Sequence, residues 1–183
     1  MKICILNGDM TTEASHFSDY LRNLSFELNK EHQVDLFALN QMNLHYCIGC
    51  WTCWIKTPGR CVHKDDAEQI FRSIINSDFF IFASPVIAGF TSSLLKKITD
   101  RLIVLIHPYF KIIYGEAHHR KRYEKYPDFG LIIQHEKDTD EEDLQIIKDI
   151  YERTAINFHS KLRFMKQIEK DKIEDIINET CNI

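Results

Sequence analysis

No stretch of this 183-residue chain approaches the roughly twenty consecutive apolar residues that a helix needs to cross a bilayer. A helical membrane span is therefore not expected. The sequence also lacks a strong charge of either sign: 23 Lys and Arg stand against 27 Asp and Glu, a formal net charge of -4. No global field draws it to nucleic acid or to an anionic membrane. Internal repeats, low-complexity tracts and linkers are missing too. The length fits the prior of about 100–200 residues per domain, so one domain spanning 1–183 is expected. The N-terminal segment Met1 to Gly8 offers a run of only four apolar residues, Ile3 to Leu6, before Asn7-Gly8, too few for the apolar region of a secretory signal. A cytoplasmic setting, where thiols stay reduced, is the expectation.

With 44% hydrophobic and 27% charged residues, the chain has the composition of a globular domain. Ile3 to Leu6 is a short unalternating apolar run stopped by Asn7-Gly8, the pattern of a strand covered on both faces. Phe17, Tyr20, Leu21, Leu24 and Leu28 then recur at helical spacing. Val34, Leu36 and Ala38 suggest a second strand. Asp65 and Glu68 form a helix-start signal ahead of Ala67, Ile70, Phe71, Ile74 and Ile75. Phe79 to Ala83 reads as a central strand, and a helix is expected from about Thr91 toward Ile106. Phe129 to Ile133 is another apolar strand, Thr139 and Glu142 open a helix, Leu162 to Phe164 alternate, and a last helix carries Ile173, Ile176 and Ile177. This order predicts an α/β three-layer sandwich with a parallel sheet. Strands at Val34 and Leu162 carry charged Asp35 and Arg163, which marks them as edges. Three central and two edge strands fit a five-stranded parallel sheet of flavodoxin-like order 2-1-3-4-5.

In such a sheet the ligand lies beyond the C-terminal strand ends, beside the first strand. Three loops should line that crevice: Asn7 to His16, Ser84 to Phe90 and Gln134 to Asp138. The first leads from a strand into a helix, so backbone N–H groups and the hydroxyls of Thr11, Thr12 and Ser15 can hold a phosphate, or Ser15 can simply cap the helix. The second, Ser84-Pro85-Val86-Ile87-Ala88-Gly89-Phe90, reads as an open turn able to face a flat aromatic ligand, or as ordinary packing of Val86 and Ile87.

Four of the six cysteines fall within fifteen residues: Cys47, Cys50, Cys53 and Cys61. Two successive two-residue gaps and then a longer one resemble iron-sulfur spacing, because a tight turn can present three thiolates to a cubane and a fourth can close it. Zinc usually pairs two short knuckles across a longer insertion and fits less naturally. Free thiols or a redox disulfide are the remaining readings. Gly49 would allow a tight turn, with Trp51 and Trp54 as shielding.

The cysteine segment, Asp65-Asp66, the run from Ser77 to Val86, and Ser93-Leu94-Leu95-Lys96-Lys97 with Asp100-Arg101 together resemble the iron-sulfur flavoproteins. These belong to the wider group of NADPH-dependent FMN reductases. The resemblance covers about the first 105 residues. It implies FMN bound noncovalently at the strand ends: Gly8, Asp9, Thr11, Thr12, Ser15 and His16 at the phosphate, Ser84, Pro85, Val86, Ile87, Ala88, Gly89 and Phe90 at the isoalloxazine, and Gln134 beside them. It also implies a 4Fe-4S cluster on Cys47, Cys50, Cys53 and Cys61. Electrons would come from a ferredoxin-like donor through the cluster or, in the alternative, as hydride from NAD(P)H with the cysteines structural or thiol-active. A third reading is a flavin-less cluster or metal-binding assembly module. The family's Gly-Ser-Pro-Arg phosphate loop is Gly8-Asp9-Met10-Thr11 here, so the basic residue is replaced and Asp9 and Glu13 add negative charge.

The segment 107–127 does not fit the alternation. Between Lys96 and Tyr126 eight Lys or Arg face three acids, among many aromatic residues. It can dock a nucleotide phosphate or an acidic ferredoxin, or form an arm against another subunit. The family resemblance implies a homodimer or tetramer.

Overall fold

The computed structural model describes residues 1–182. In chain order the elements are β1 (Lys2–Asn7), α1 (His16–Leu28), β2 (Gln33–Ala38), the single-turn α2 (Thr52–Ile55) and α3 (Ala67–Ile75). They continue with β3 (Phe79–Ile87), the two-residue β4 (Phe90–Thr91), α4 (Ser93–Arg101), β5 (Ile106–Ile113) and β6 (Glu116–Lys121). The last are β7 (Asp128–Gln134), α5 (Glu141–Asn157), β8 (Leu162–Gln167) and α6 (Ile173–Cys181). The main sheet runs β2-β1-β3-β7-β8 with every neighbour parallel, the expected flavodoxin-like order.

Strand residues alternate between two apolar layers, which is why the central strands show no polar alternation. Cys4, Leu6, Phe80, Phe82, Phe129, Leu131 and Ile133 face one layer with residues of α3, α4 and α5. Ile3, Ile5, Phe79, Ile81, Ala83 and Ile132 face the other with α1 and Ile176 of α6. Phe80 and Phe82 meet edge-to-face, their centroids 4.9 Å apart, and Phe129 packs against both. The two edge strands are the least buried of the five.

Several boundaries differ from the sequence reading. The helix expected from Thr91 to Ile106 ends at Arg101, and Leu102–Leu105 tighten into a 3₁₀ turn. The Thr139 and Glu142 signal lies one residue early: Asp140 caps α5, accepting the Asp143 N–H at 2.9 Å, while Asp143 returns a bond to the Asp140 N–H. The segment 107–127 is mostly the antiparallel β5–β6 hairpin, a second sheet. Its outer part exposes Tyr109, Phe110, Ile112 and Tyr114. The hairpin is anchored at two points: at its base the Tyr126 hydroxyl donates to Leu105 O at 2.5 Å, and partway along β6 His118, 4% exposed, lies within 3.2 Å of Asn157 Oδ1. No described helix is long and apolar enough to cross a membrane.

Candidate functional site

The C-terminal ends of β1 and β3 lie side by side, and their loops are tied together. The Gly8 N–H donates to Ala83 O at 2.8 Å, and Ser92 Oγ donates to Gly8 O at 2.5 Å. Ser92 also caps α4, accepting the Leu95 N–H at 3.2 Å, while its own N–H donates to Ser84 Oγ at 2.8 Å. Gly8 is a close-approach position: a Cβ there would stand 2.9 Å from both Leu95 Cβ and Ser92 Oγ. The glycine therefore lets the first loop seat against α4. Asn40 Nδ2 donates to Thr11 O and steadies the outer side.

Within this loop the residues divide. Met10, Thr11, Thr12, Glu13, Ala14 and His16 are exposed, whereas Asp9 is 4% exposed. Asp9 Oδ1 accepts the Thr11 N–H at 2.9 Å, and Oδ2 accepts the hydroxyls of Ser18, at 2.7 Å, and Ser15. Asn7 Oδ1 accepts the Asp9 N–H at 2.9 Å, and Asn7 Nδ2 donates to Ser18 Oγ at 2.9 Å. Burial alone pushes the Asp9 carboxyl upward, but these hydrogen bonds outweigh it and hold the group below the usual carboxylate range. Ser15 is also the N-cap of α1, accepting the Ser18 N–H at 3.0 Å, so the capping reading of this serine holds. Asn7 and Ser18 escaped the sequence reading. The available signal was Ser18, a polar residue next to Phe17 and in step with Leu21 on the buried stripe.

The second loop is not an open turn. β3 continues through Ser84, Pro85 and Val86 to Ile87, and a two-residue turn at Ala88 and Gly89, with φ of 50° and 73°, returns it as β4. Such positive-φ pairs match the twist of a hairpin. Val86 pairs with Thr91 and Ile87 with Phe90. Phe90 leans on the larger core layer, Ser84 and Val86 are buried, and Ile87 and Pro85 are half-buried. Gln134 ends β7 opposite Pro85, which brings the third loop to the same end of the sheet.

The four cysteines do not fulfil the expected 4Fe-4S centre. Among the described residues no group of three or more His, Cys, Asp or Glu side chains is arranged to hold a metal ion. All four are free thiols lining one small apolar cavity of about 50 Å³ with Trp51, Ile103, Val104 and Arg101. The physical reason is their division between environments. Cys53 lies on α2 and turns into the core at 7% exposure, Cys61 is half-buried, and Cys47 and Cys50 face solvent across the turns at Gly49 and Trp51. Burial, and then the nearby thiols of Cys61, Cys50 and Cys47, raise the Cys53 pKa. The Thr52 hydroxyl and N–H, in contrast, lower that of exposed Cys50.

What anchors this segment is an ion pair whose acid, Asp65, the sequence marks only as part of a helix-start signal. Asp65 Oδ1 accepts the Ala67 N–H at 3.3 Å, and the same carboxylate receives Arg101 in a bidentate grip, Nη1 to Oδ2 at 2.7 Å and Nη2 to Oδ1 at 2.9 Å, with both side chains essentially inaccessible. The His45 N–H also donates to Asp65 Oδ2 at 2.9 Å, and Arg101 Nη1 donates to His45 O at 3.1 Å. Asp66 holds the Asn43 N–H at 2.7 Å, and Trp54 Nε1 donates to Ile103 O at 2.8 Å.

A doubly wound parallel sheet of order β2-β1-β3-β7-β8 defines the flavodoxin-like class. Residues 1–123 match the family model described as NADPH-dependent FMN reductase, and the chain belongs to that family. An iron-sulfur flavoprotein of Methanocaldococcus jannaschii is 29% identical over 118 residues, 64% of this chain and 58% of that one. Another, from Archaeoglobus fulgidus, is 35% identical over 96 residues, 52% of this chain and 40% of that one. The matches thus span about half the length of these relatives. An FMN-dependent NADH-azoreductase of Bacillus anthracis, solved with FMN, superposes with a TM-score of 0.61 at 11% identity, covering 100% of this chain and 95% of that one. That last likeness is one of fold.

Proposed function

We propose that this chain is an NAD(P)H-dependent oxidoreductase that binds FMN in the crevice at the ends of β1, β3 and β7. The observation that carries the reading is the fixed juxtaposition of the β1–α1 loop and the β3–β4 hairpin through Gly8, Ala83 and Ser92, in a chain of the FMN reductase family. The residues suit a flavin. The half-buried apolar groups of Pro85, Ile87 and Phe90, with Ala88 and Gly89 at the turn, make a wall for the isoalloxazine beside Ser84, Val86 and Gln134. Exposed Thr11, Thr12 and His16 stand where the N-terminus of α1 favours an anion. When bound, the flavin supplies hydride acceptance and one- or two-electron donation; the chain supplies position and access. The proposed donor is a nicotinamide nucleotide, because that route needs no metal relay through the cysteines. Their thiols then serve as packing and thiol-active groups, in keeping with a reducing cytoplasm.

The test is anaerobic titration of the purified chain with FMN, followed by NADPH or NADH without ferredoxin. Uptake of FMN and loss of the oxidised-flavin absorbance are expected. No FMN uptake sinks the reading in favour of a binding module, and FMN that stays oxidised rejects the nicotinamide donor.

We also propose that the exposed outer part of the β5–β6 hairpin packs against a second copy of the chain. A two-stranded ribbon is marginal by itself, and Tyr109, Phe110, Ile112 and Tyr114 form an uncovered apolar group on it. Replacing these four by Ser is expected to give monomers by light scattering while leaving the anchoring residues Tyr126 and His118 in place. An unchanged mass rejects the interface.

A further inference from the structure

We propose that the Asp9 carboxylate stands in for the flavin phosphate inside the β1–α1 loop, so that the crevice reads the isoalloxazine and ribityl chain and takes neutral riboflavin as well as FMN. The proposal rests on the flavin reading above and narrows it to a specificity.

The donors that a strand-to-helix loop offers an anion are its backbone N–H groups and the hydroxyls at the head of the helix. Here Thr11 N–H, Ser15 Oγ and Ser18 Oγ all point at Asp9, which is 4% exposed and carries two accepting oxygens. The arrangement is closed from behind, since Asn7 holds both the Asp9 N–H and the Ser18 hydroxyl. These hydrogen bonds favour the ionised form, so the loop already contains its anion at neutral pH. No Lys or Arg occurs from Ile3 to Leu21 to balance a second one, and Glu13 adds a further acid; His16 is the single basic side chain of the loop. A phosphate entering at the exposed Thr11 and Thr12 therefore meets a fixed negative charge that has taken the inner donors. Its gain from the helix end is offset by repulsion from Asp9. A ribityl hydroxyl meets no such opposition, and it can use the outer hydroxyls. The phosphate then adds little to flavin affinity, and the substrate class widens from FMN to dephosphorylated flavins.

The test is equilibrium binding of FMN and of riboflavin, each titrated separately with the full chain and read by quenching of flavin fluorescence. The two dissociation constants are expected to agree within about fivefold, which is about 1 kcal/mol. Asp9→Ser, which releases the three donors, is expected to tighten FMN by about tenfold or more and to leave riboflavin within about twofold. FMN held more than fivefold tighter than riboflavin by the unaltered chain overturns the proposal while leaving the flavin reading intact. An Asp9→Ser variant that tightens both flavins alike overturns it as well, because Asp9 would then act only on the shape of the loop. If neither flavin binds the chain or the variant, the flavin reading itself fails and the proposal falls with it. Should the variant lose its fold by circular dichroism, the two flavins on the unaltered chain decide the matter.

Discussion

Arg101→Met is expected to destabilise the chain by about 3–5 kcal/mol, the cost of leaving one partner of a buried ion pair unpaired. At about 2–4 °C per kcal/mol for a chain of this size, the melting temperature should fall by on the order of 10 °C. The guanidinium is 2% exposed as a residue, holds both Asp65 oxygens and lies over Phe71 at 5.5 Å, so no solvent replaces it when it is removed. The isolated Asp65 carboxylate would also lose its grip on the segment from Asn43 to Asp66, and the buried Cys53 should become open to alkylation. The double variant Asp65→Leu with Arg101→Met should recover part of the loss, since a packed apolar pair avoids desolvating two charges. A melting temperature within about 2 °C of the parent for Arg101→Met would remove the argument.

The same pair sets a pH dependence. Burial pushes the Asp65 carboxyl up, but the Arg101 and His45 hydrogen bonds more than reverse it and hold the group well below the usual carboxylate range. A carboxyl depressed in the folded state contributes its full stability above the unfolded value of about 3.9 and loses it as the pH falls toward the folded value. Acid unfolding of the parent should therefore steepen below about pH 4, and Arg101→Met should lack that component. Chemical denaturation between neutral pH and pH 3 compares the two slopes. Parallel curves would mean that other carboxylates govern the acid limb.

Gly130→Ala is expected to cost at least about 1–3 kcal/mol, the usual penalty of overpacking a tight interior. Gly130 lies in the central strand β7, and a Cβ there would fall on the ring of Phe164 in β8. The ring rests on the bare backbone because β8 shifts register: Phe129 pairs with Leu162 and Gly130 with Phe164, which leaves Arg163 as the extra residue. A bulge of this kind turns the strand locally. Arg163 Nε donates to Asp128 Oδ2 at 2.7 Å, and the Lys161 N–H donates to Asp128 Oδ1 at 2.8 Å, so the distortion is held at its base. Phe164→Leu on the alanine background should restore much of the loss, measured as the denaturant midpoint at constant slope. Failure of that rescue would place the strain elsewhere.

Most of the fold was legible because burial on two faces writes a local pattern. Ile3 to Leu6, Phe79 to Ala83 and Phe129 to Ile133 are apolar at every position but Gly130, and all three are central; Asp35 and Arg163 interrupt the two edges. The extent of β3 was less legible. Ser84-Pro85 looks like a stop, yet Pro85 needs no N–H in a strand end whose partner is the parallel β7, and pairing with β4 draws the chain on to Ile87. The helix start at Asp65 was legible, since α3 begins at Ala67 and Asp65 Oδ1 accepts the Ala67 N–H at 3.3 Å, but the larger role of Asp65 was not. Its carboxylate is claimed by Arg101, 36 residues away, and a distant guanidinium leaves no mark on the local spacing. The cysteine spacing was visible, but spacing does not say which side chains turn inward. One thiol joined the core, one stayed half-buried and two remained at the surface.

The sequence by itself determined the layer order and the parallel sheet, since hydrophobic periodicity and strand-helix alternation depend only on neighbours along the chain. The tertiary structure decided what the polar groups do. Asp9 closes on Ser15 and Ser18, Asp65 closes on Arg101, and the four thiols share a cavity without forming a metal site. Those outcomes follow from hydrogen-bond partners and burial that arise only when separate elements meet.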